Sequence, residues 1–278
     1  MNTAPGRARR RRRLWIATGA LAVLLVLGGI FVVLWQGSGA HEASTNQAKR
    51  RFEETSTSAK PPSAAALRPP AGVYLYRGTG TEHLSLPPKT QHQGASMPAT
   101  VTYHSDGCWT FRLDYNTHHW QTWVYCPRNG GLVELGGQTF ERWDFVFTKY
   151  DSTSKFTCDP PSIAIRAAMR PGDEWQQSCR GTSSGTKGAA VTSGPYTFVG
   201  DDAVTVGSAR VPAYHFRQVR TLSGSQTGTQ TADLWFARSN GLPLRNQRDV
   251  TVKTDTVVGS STYTEHGSFQ LTSLGPQG

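Results

Sequence analysis

Two short runs of residues between Cys108 and Cys126 constrain the fold more than any other part of the sequence. Each run alternates apolar with polar side chains, and a turn-like segment around Thr117 separates them. Antiparallel pairing about Thr117 brings the two cysteines together and gathers the aromatic side chains on the opposite face. The sequence therefore predicts a β-hairpin with these cross-strand pairs: Cys108 with Cys126, Trp109 with Tyr125, and Phe111 with Trp123.

The first 35 residues predict where the chain resides. Residues 1–13 are rich in arginine, and residues 14–35 carry no charged side chain. A helix of these 22 residues is about 33 Å long, which is enough to cross a hydrocarbon core of about 30 Å. Because cationic residues are retained on the cytoplasmic side, the sequence predicts a single-pass protein of the cell membrane, with a cytoplasmic N-terminus and the C-terminal domain outside. Anionic lipid would contact Arg7, Arg9, Arg10, Arg11, Arg12 and Arg13.

Two alternative interpretations of the same segment are a cleaved signal peptide and a twin-arginine signal. The uncharged run is longer than the roughly 7 to 15 apolar residues of a signal peptide. Trp15 and Trp35 bracket the run, as interface anchors do. We therefore expect a retained anchor, and both alternatives also export residue 41 and everything after it.

The net charge of +10 does not predict a nucleic-acid partner. Residues 71–278 hold 18 of the 29 basic residues and 16 of the 19 acidic residues, so the outer domain is nearly neutral. The excess of positive charge lies before residue 71. Because neither a basic face nor a recognised motif remains outside, the sequence predicts no nucleic-acid binding.

The segment 36–70 is rich in Ser, Ala, Thr and Pro and lacks apolar periodicity, which is typical of a disordered linker. The residues that follow are numerous enough for one domain with a sizeable core. The sequence therefore predicts four parts: a basic cytoplasmic tail (1–13), a transmembrane helix (14–35), a disordered tether (36–70) and an extracytoplasmic antiparallel β domain (71–278).

All four cysteines lie in the part of the chain that is predicted to be exported. An even number of cysteines in an oxidising compartment favours disulfides, and four cysteines allow three connectivities. The hairpin register selects Cys108 with Cys126. By elimination, Cys158 pairs with Cys179.

Signals for strands recur through the outer domain. Residues 143–148 alternate apolar with polar side chains, Gly207-Ser208 suits a two-residue hairpin turn, and residues 239–241 predict another turn. Beyond the tether the sequence offers at most a short helix at residues 162–169. We therefore predict a mainly β fold: a single curved antiparallel sheet, like a half-barrel, with two disulfides and one preceding transmembrane helix.

Four runs carry a family resemblance: residues 107–112 (GCWTFR), 158–161 (CDPP), 171–179 (PGDEWQQSC) and 235–245 (WFARSNGLPLR). Together they resemble uncharacterised, membrane-anchored envelope proteins of actinobacteria. The last run is also similar to a hairpin in half-barrel proteins of the periplasmic lipoprotein-carrier (LolA-like) type. That similarity implies a curved antiparallel sheet that cups an apolar ligand, and it carries no catalytic residue across.

Residues 105–112 suggest an enzyme, because they resemble the nucleophile motif of cell-wall L,D-transpeptidases. Cys108 would be the nucleophile, with a nearby histidine to deprotonate its thiol. However, Asp106 stands where that family has its histidine, and a cysteine in a disulfide is no nucleophile. We therefore expect no catalysis by Cys108.

Other candidate sites carry weaker signals. Residues 181–185 match the Gly-x-Ser-x-Gly pattern, but they lack the strand before and the helix after that raise a nucleophilic serine. His118 and His119 are adjacent, so in a strand their rings point to opposite faces and do not converge on one metal. The separation of carboxylates in space, on which paired-carboxylate hydrolysis depends, does not follow from the sequence. We predict no catalytic residue, no metal site and no cofactor.

Aromatic residues offer the remaining candidate site, because the domain holds six of the eight tryptophans and is poor in leucine and isoleucine. A curved sheet without a covering helix leaves its concave face open, and open apolar faces bind ligands or partners. The sequence therefore predicts a non-enzymatic domain that binds a lipid, a glycan or an envelope protein. The alternatives are a cell-wall enzyme and a structural subunit of an envelope complex. The predicted ligand-binding residues are Trp109, Phe111, Trp123, Tyr125 and Trp143.

Overall fold

The computed structural model describes residues 39–56, 67–145, 147–256 and 259–277. Within these ranges the chain forms one helix and thirteen strands. The helix is α1 (Thr45–Ser56), and the strands are β1 (Gly72–Ser85), β2 (Pro88–Gln93), β3 (Ser96–Tyr103), β4 (Trp109–Asp114), β5 (His119–Arg128), β6 (Gly131–Asp144), β7 (Lys149–Ile165), β8 (Glu174–Ser183), β9 (Ala189–Val206), β10 (Ala209–Gly224), β11 (Thr227–Ala237), β12 (Pro243–Thr256) and β13 (Gly259–Leu271).

The sheet closes on itself. Each strand from β3 to β12 pairs with the next strand along the chain, β3 also pairs with β1, and the last strand, β13, pairs with β1 as well. The result is a closed, antiparallel barrel of twelve strands, and β2 is an additional strand beside β1. The predicted half-barrel with an open concave face is therefore wrong. Closure satisfies the backbone groups that an open sheet would leave exposed along two edges.

β1 closes the barrel because it is long enough to have three neighbours. One edge of β1 pairs with β13 over residues 76–84, and its other edge pairs first with β3 and then with β2. Helix α1 packs against β1 and β3 from outside. Arg51 of the helix forms an ion pair with Asp114, and Glu42 accepts a hydrogen bond from the backbone N–H of Ala95 at 3.1 Å. The helix is thus fixed near the point where β1 changes partner.

Both predicted disulfides are confirmed. The hairpin of β4 and β5 has the predicted register, and Cys108 and Cys126 form a disulfide directly beyond its last pair. Cys158 of β7 and Cys179 of β8 form the second disulfide. Each disulfide lies at the position where the ladder between its two strands ends.

The ladder between β7 and β8 covers four residue pairs and stops at the second disulfide. Beyond that point, side chains of β8 form the hydrogen bonds to the backbone of β7. Trp175 Nε1 and Gln177 Nε2 each donate a hydrogen bond to the carbonyl oxygen of Ile163 at 2.7 Å. These bonds satisfy a carbonyl that the diverging backbone of β8 leaves unpaired.

Helical structure differs from the expectation in two places. Residues 162–165, the start of the predicted short helix, belong to β7. Residues 45–56, within the predicted tether, form α1 instead of coil. Ala48 is the residue of α1 that is completely buried. A single small buried residue produces no apolar stripe in the sequence, so the pattern did not indicate this helix.

Within the described ranges, no helix is long and apolar enough to cross a membrane. The predicted tail (1–13) and the predicted span (14–35) lie outside those ranges. The predicted transmembrane helix and the predicted single-pass membrane localisation are therefore not borne out by the part of the chain that the structure describes.

One end of the barrel, which we call the closed end, is filled by the core. The chain that leads into β1 crosses this end: the carbonyl oxygen of Leu67 accepts a hydrogen bond from Trp109 Nε1 at 3.2 Å, and Arg68 donates to the carbonyl oxygen of Gly107 at 2.6 Å. Burial of these large side chains supplies the main stabilisation of the barrel. The core of the closed end includes Leu67, Tyr74, Tyr76, Trp109, Leu132, Ile165, Trp175, Tyr196, Phe198, Phe216, Phe236, Leu242, Leu244 and Leu271.

Candidate functional site

A cavity of about 740 Å³ occupies the barrel interior. It is lined by residues from the β1–β2, β6–β7, β8–β9 and β10–β11 turns, whereas the turns at the closed end contribute none. The cavity therefore opens at the end opposite the closed end, which we call the mouth. Three apolar side chains border the mouth: Leu86, Phe147 and Tyr150 expose 40%, 86% and 43% of their surface.

The structure brings the five predicted ligand-binding residues into the barrel interior. Phe111, Trp123, Tyr125 and Trp143 line the cavity, and the rings of Phe111 and Trp123 lie 5.7 Å apart. Trp109 does not line the cavity, because it is completely buried in the core of the closed end. The predicted face is therefore an enclosed wall and not an open concave surface. A ligand-binding role for these residues stays a prediction.

A belt of polar and charged side chains crosses the middle of the barrel interior, and we call it the polar layer. The sequence interpretation missed it. A signal was present, however: polar residues stand two positions apart in phase with the inward-facing aromatics, as His119 and Gln121 do with Trp123. The polar layer consists of Glu82, Gln91, Gln93, His119, Gln121, Glu134, Glu141, Gln177, Arg220, Arg248 and Glu265.

Arg248 spans the interior between distant strands. Its Nε atom donates to Glu265 Oε1 on the neighbouring β13 at 2.8 Å, and a terminal nitrogen donates to Gln121 Oε1 on β5 at 2.6 Å. The guanidinium also lies over the ring of Tyr115, which directly follows β4, 4.6 Å from its centre. Charge-assisted hydrogen bonds of this kind are stronger than neutral ones. Arg248 thus holds two opposite parts of the wall together.

Arg220 makes a second bridge from β10. A terminal nitrogen of its guanidinium donates to Gln177 Oε1 at 2.8 Å and lies 3.5 Å from Glu134 Oε2 on β6. All three side chains are buried. Because each interior arginine faces a carboxylate, neither leaves an uncompensated charge in the interior.

Glu82 and His119 form the third charged pair. His119 Nδ1 lies 2.6 Å from Glu82 Oε1, and both side chains are almost completely buried. Burial raises the pKa of Glu82, but the charge of His119 and three hydrogen bonds outweigh it, so the pKa lies below its usual value. Burial lowers the pKa of His119, but Glu82 reverses this effect and the pKa is raised. Both partners are therefore stabilised in their charged forms.

Glu141 is the interior carboxyl group that behaves differently. Burial raises its pKa to about 7, and the negative charges of Glu82 and Glu265 act in the same direction. Trp143 donates a hydrogen bond to it. Glu141 lies directly opposite His119 in the β5–β6 ladder, and both side chains line the cavity. Near neutral pH this carboxyl group is partly protonated.

Three buried polar atoms on the cavity wall have no hydrogen-bond partner among the described residues: His119 Nε2, Asn246 Oδ1 and Ser261 Oγ. Unsatisfied buried polar atoms cost about 1–3 kcal/mol each. A bound molecule with hydrogen-bonding groups would remove that cost.

Three clusters within the described residues bring potential metal ligands within 4.8 Å of one another. Two of them include cysteines that are bonded in disulfides and offer no thiolate. The third joins Glu82, His119 and Glu265. There the amide nitrogen of Gln93 donates to both carboxylates, and Arg248 supplies positive charge to Glu265. These contacts already engage both carboxylates, so a cation would have to compete with Gln93 and Arg248.

The remaining sequence candidates do not form a catalytic site. Cys108 is bonded to Cys126, so it has no thiol to act as a nucleophile. Ser183, from the Gly-x-Ser-x-Gly match, lies in β8 and not on a strand-to-helix turn. His118 and His119 face different surroundings: His118 lies 3.7 Å from Asp144, whereas His119 faces Glu82 in the interior.

Comparisons with known proteins assign no family. No family model matches the chain, and no curated protein matches it. The resemblance to actinobacterial envelope proteins therefore stays a prediction. Among solved structures, the chain is similar to the crystal structure of the hypothetical lipoprotein YmcC from Escherichia coli, with 10% sequence identity and a TM-score of 0.33. The match covers 81% of this chain and 98% of that chain. A likeness at this level carries no argument about function.

Proposed function

We propose that the barrel binds a small amphipathic molecule in its interior and performs no chemistry on it. The observation that carries the proposal is the cavity of about 740 Å³ together with the apolar border of its mouth. Cavities of roughly 300–1,000 Å³ are usual for small-molecule ligands. The apolar wall would bind the hydrocarbon part, and the polar layer would bind the polar part.

The mouth supports this proposal through the grouping of its exposed apolar side chains. A single exposed apolar residue is ordinary, but a group of them around an opening is typical of a binding site. Leu86 lies in the β1–β2 turn, Phe147 in the β6–β7 turn and Tyr150 at the start of β7. All three border the same opening. They would contact an apolar ligand as it enters.

Binding can be tested by filling the cavity. Val252 lines the wall between the polar layer and the mouth, so Val252→Trp should occupy the ligand's space. Val219 is exposed on β10 and does not line the cavity, so Val219→Trp is the matched control. The probe is N-phenyl-1-naphthylamine, an uncharged dye that fluoresces strongly in apolar sites. We expect the full chain and the control to bind the dye, and Val252→Trp to bind it at least tenfold more weakly.

Thermal unfolding of both variants provides the fold control, because a variant that unfolds early says nothing about the cavity. If folded Val252→Trp binds the dye as strongly as Val219→Trp does, the dye does not enter the barrel and the proposal fails. Absence of binding to the unmodified chain would also contradict it.

A further inference from the structure

We infer that the polar part of the ligand is an uncharged, hydroxyl-bearing head group that sits against His119 and Glu141, with the hydrocarbon part directed toward the mouth. This inference rests on the proposed function. It concerns which class of amphipathic molecule the cavity selects.

The first support is that the interior charges are paired with one another. Glu82 faces His119 at 2.6 Å, and Glu265 faces Arg248 at 2.5 Å. Glu134 and Arg220 lie 3.5 Å apart. At these three pairs a charged head group would have to compete with an existing partner, and the displaced partner would then be buried without compensation. Glu141 stands outside the three pairs, and the charged His119 directly opposite it disfavours a cationic head group there. Uncharged head groups avoid this penalty.

Besides Glu141, two further charged residues border the cavity but do not change this balance. Lys149 is exposed at the start of β7, beside the mouth. Arg245 stacks on the ring of Trp235, 4.8 Å from its centre. An anionic head group would therefore meet the exposed Lys149 at the mouth, whereas the cations of the interior already face carboxylates. That difference gives the experiment a clear alternative outcome.

The second support is the hydrogen-bonding character of His119 and Glu141. His119 Nδ1 is engaged by Glu82, while Nε2 is buried without a partner. Glu141 lies opposite in the neighbouring strand and offers carboxyl oxygens as acceptors. A hydroxyl group can accept a hydrogen bond from His119 Nε2–H and donate one to Glu141 at the same time. Neither a carboxylate nor a quaternary ammonium group can do both.

The third support is the order of surfaces along the interior. The aromatic side chains of Trp143 and Tyr263 approach each other across the barrel, with ring centres 6.3 Å apart. Leu222 and Val252 also line the cavity there. In the ladders, Trp143 and Tyr263 lie two positions closer to the mouth than Glu141 and Glu265. A hydrocarbon chain would contact these side chains while its head group reaches the polar layer.

Four ligands with the same twelve-carbon chain test the inference: 1-O-dodecylglycerol, dodecanoate, dodecyltrimethylammonium and dodecyl methyl ether. Each is titrated, below its micelle concentration, into the full chain that carries N-phenyl-1-naphthylamine. We expect dodecylglycerol to displace the dye at a concentration at least tenfold lower than each of the other three. If a charged ligand competes as well as dodecylglycerol or better, the inference is overturned while the proposed function stands. If none competes and the dye does not bind, the proposed function itself fails.

Two variants of Glu141 separate a direct contact from a structural effect. Glu141→Gln keeps an oxygen acceptor, whereas Glu141→Met keeps a similar volume without one. We expect Glu141→Met to weaken binding of dodecylglycerol about tenfold and to leave dodecyl methyl ether unchanged, and Glu141→Gln to bind both as the unmodified chain does. Equal weakening of both ligands by Glu141→Met, in a variant that unfolds at the normal temperature, would overturn the contact.

Discussion

At the scale of single residues, the barrel interior is defined by how its charged groups are partnered. Arg248 and Arg220 each face a carboxylate, and Glu82 faces His119. These pairs favour the observed side-chain positions, because any arrangement that separates two partners leaves a buried charge without compensation. Glu141 is the exception, since burial raises its pKa to about 7.

Glu141 should make stability depend on pH. Its pKa in the folded chain is raised from 4.5 to about 7, so between these values the folded state holds a proton that the unfolded chain has released. Stability from this group is therefore fully present below pH 4.5 and is lost as the pH rises through 7. We expect the free energy of unfolding to fall by roughly 2 kcal/mol more in the unmodified chain than in Glu141→Gln over this interval. Parallel curves of unfolding free energy against pH for the two proteins would contradict the shift.

Arg248 should be the most sensitive polar residue of the interior. Arg248→Met leaves Glu265 buried without its cation, and loss of one partner of a buried pair costs about 3–5 kcal/mol. Urea unfolding measures this loss. The double variant with Glu265→Gln removes the isolated charge as well, so it should regain about half of the lost free energy. A loss below about 1 kcal/mol in the single variant would show that the pair is not buried as described.

The sequence indicated the aromatic residues of the interior but not the polar layer, for a physical reason. Alternation of apolar and polar residues marks which face of a strand is buried when the buried face is apolar. Glu82, Arg248 and Glu265 stand on the buried face as charged residues, so alternation alone does not indicate that they are buried. Their burial is favourable because each has a partner, and some of the partners lie on distant strands: Arg248 on β12 donates a hydrogen bond to Gln121 on β5 across the closed barrel.

At the scale of elements, each disulfide stands where a strand ladder ends. Cys108 and Cys126 lie one position beyond the end of the β4–β5 ladder, and Cys158 and Cys179 lie one position beyond the end of the β7–β8 ladder. A covalent link at these points holds together strands that the backbone no longer joins. The first pairing followed from the hairpin register and the second by elimination, so both were accessible from the sequence.

Removal of the second disulfide should loosen the barrel wall more than removal of the first. The two bridges join cysteines 18 and 21 residues apart, so each loss costs about 3 kcal/mol in the chain-entropy model. The β7–β8 ladder, however, has four pairs, while β4–β5 has six. We expect Cys158→Ala/Cys179→Ala to speed amide hydrogen exchange in residues 174–183, and Cys108→Ala/Cys126→Ala to leave that segment protected. Unchanged exchange in both variants would contradict this role.

Barrel closure could not be predicted from the sequence, because strand patterns are the same in an open and a closed sheet. The contact that distinguishes them joins β1 to β13, which are separated by nearly the whole domain. Local periodicity carries no information about such a pairing. Helix α1 escaped prediction for a different reason, since Ala48 provides its completely buried residue without an apolar stripe.

At the scale of the whole molecule, the barrel is a container with one closed end, a polar layer in its middle and an apolar mouth. The closed end supplies the packed core, so the cavity does not have to stabilise the fold. Cavity-lining residues near the mouth can therefore be exchanged at small cost in stability, whereas polar-layer residues cannot. This division makes binding and folding separable by experiment.

The most direct test locates the bound molecule. A 1-O-dodecylglycerol that carries a diazirine on its chain is photolysed with the full chain, and the crosslinked residues are mapped by mass spectrometry. We expect crosslinks within the cavity near the mouth, and we expect them to disappear in Val252→Trp but not in Val219→Trp; the expected positions are Trp143, Leu222, Val252 and Tyr263. Crosslinks confined to exposed outer residues such as Val199, or undiminished in Val252→Trp, would contradict uptake into the barrel.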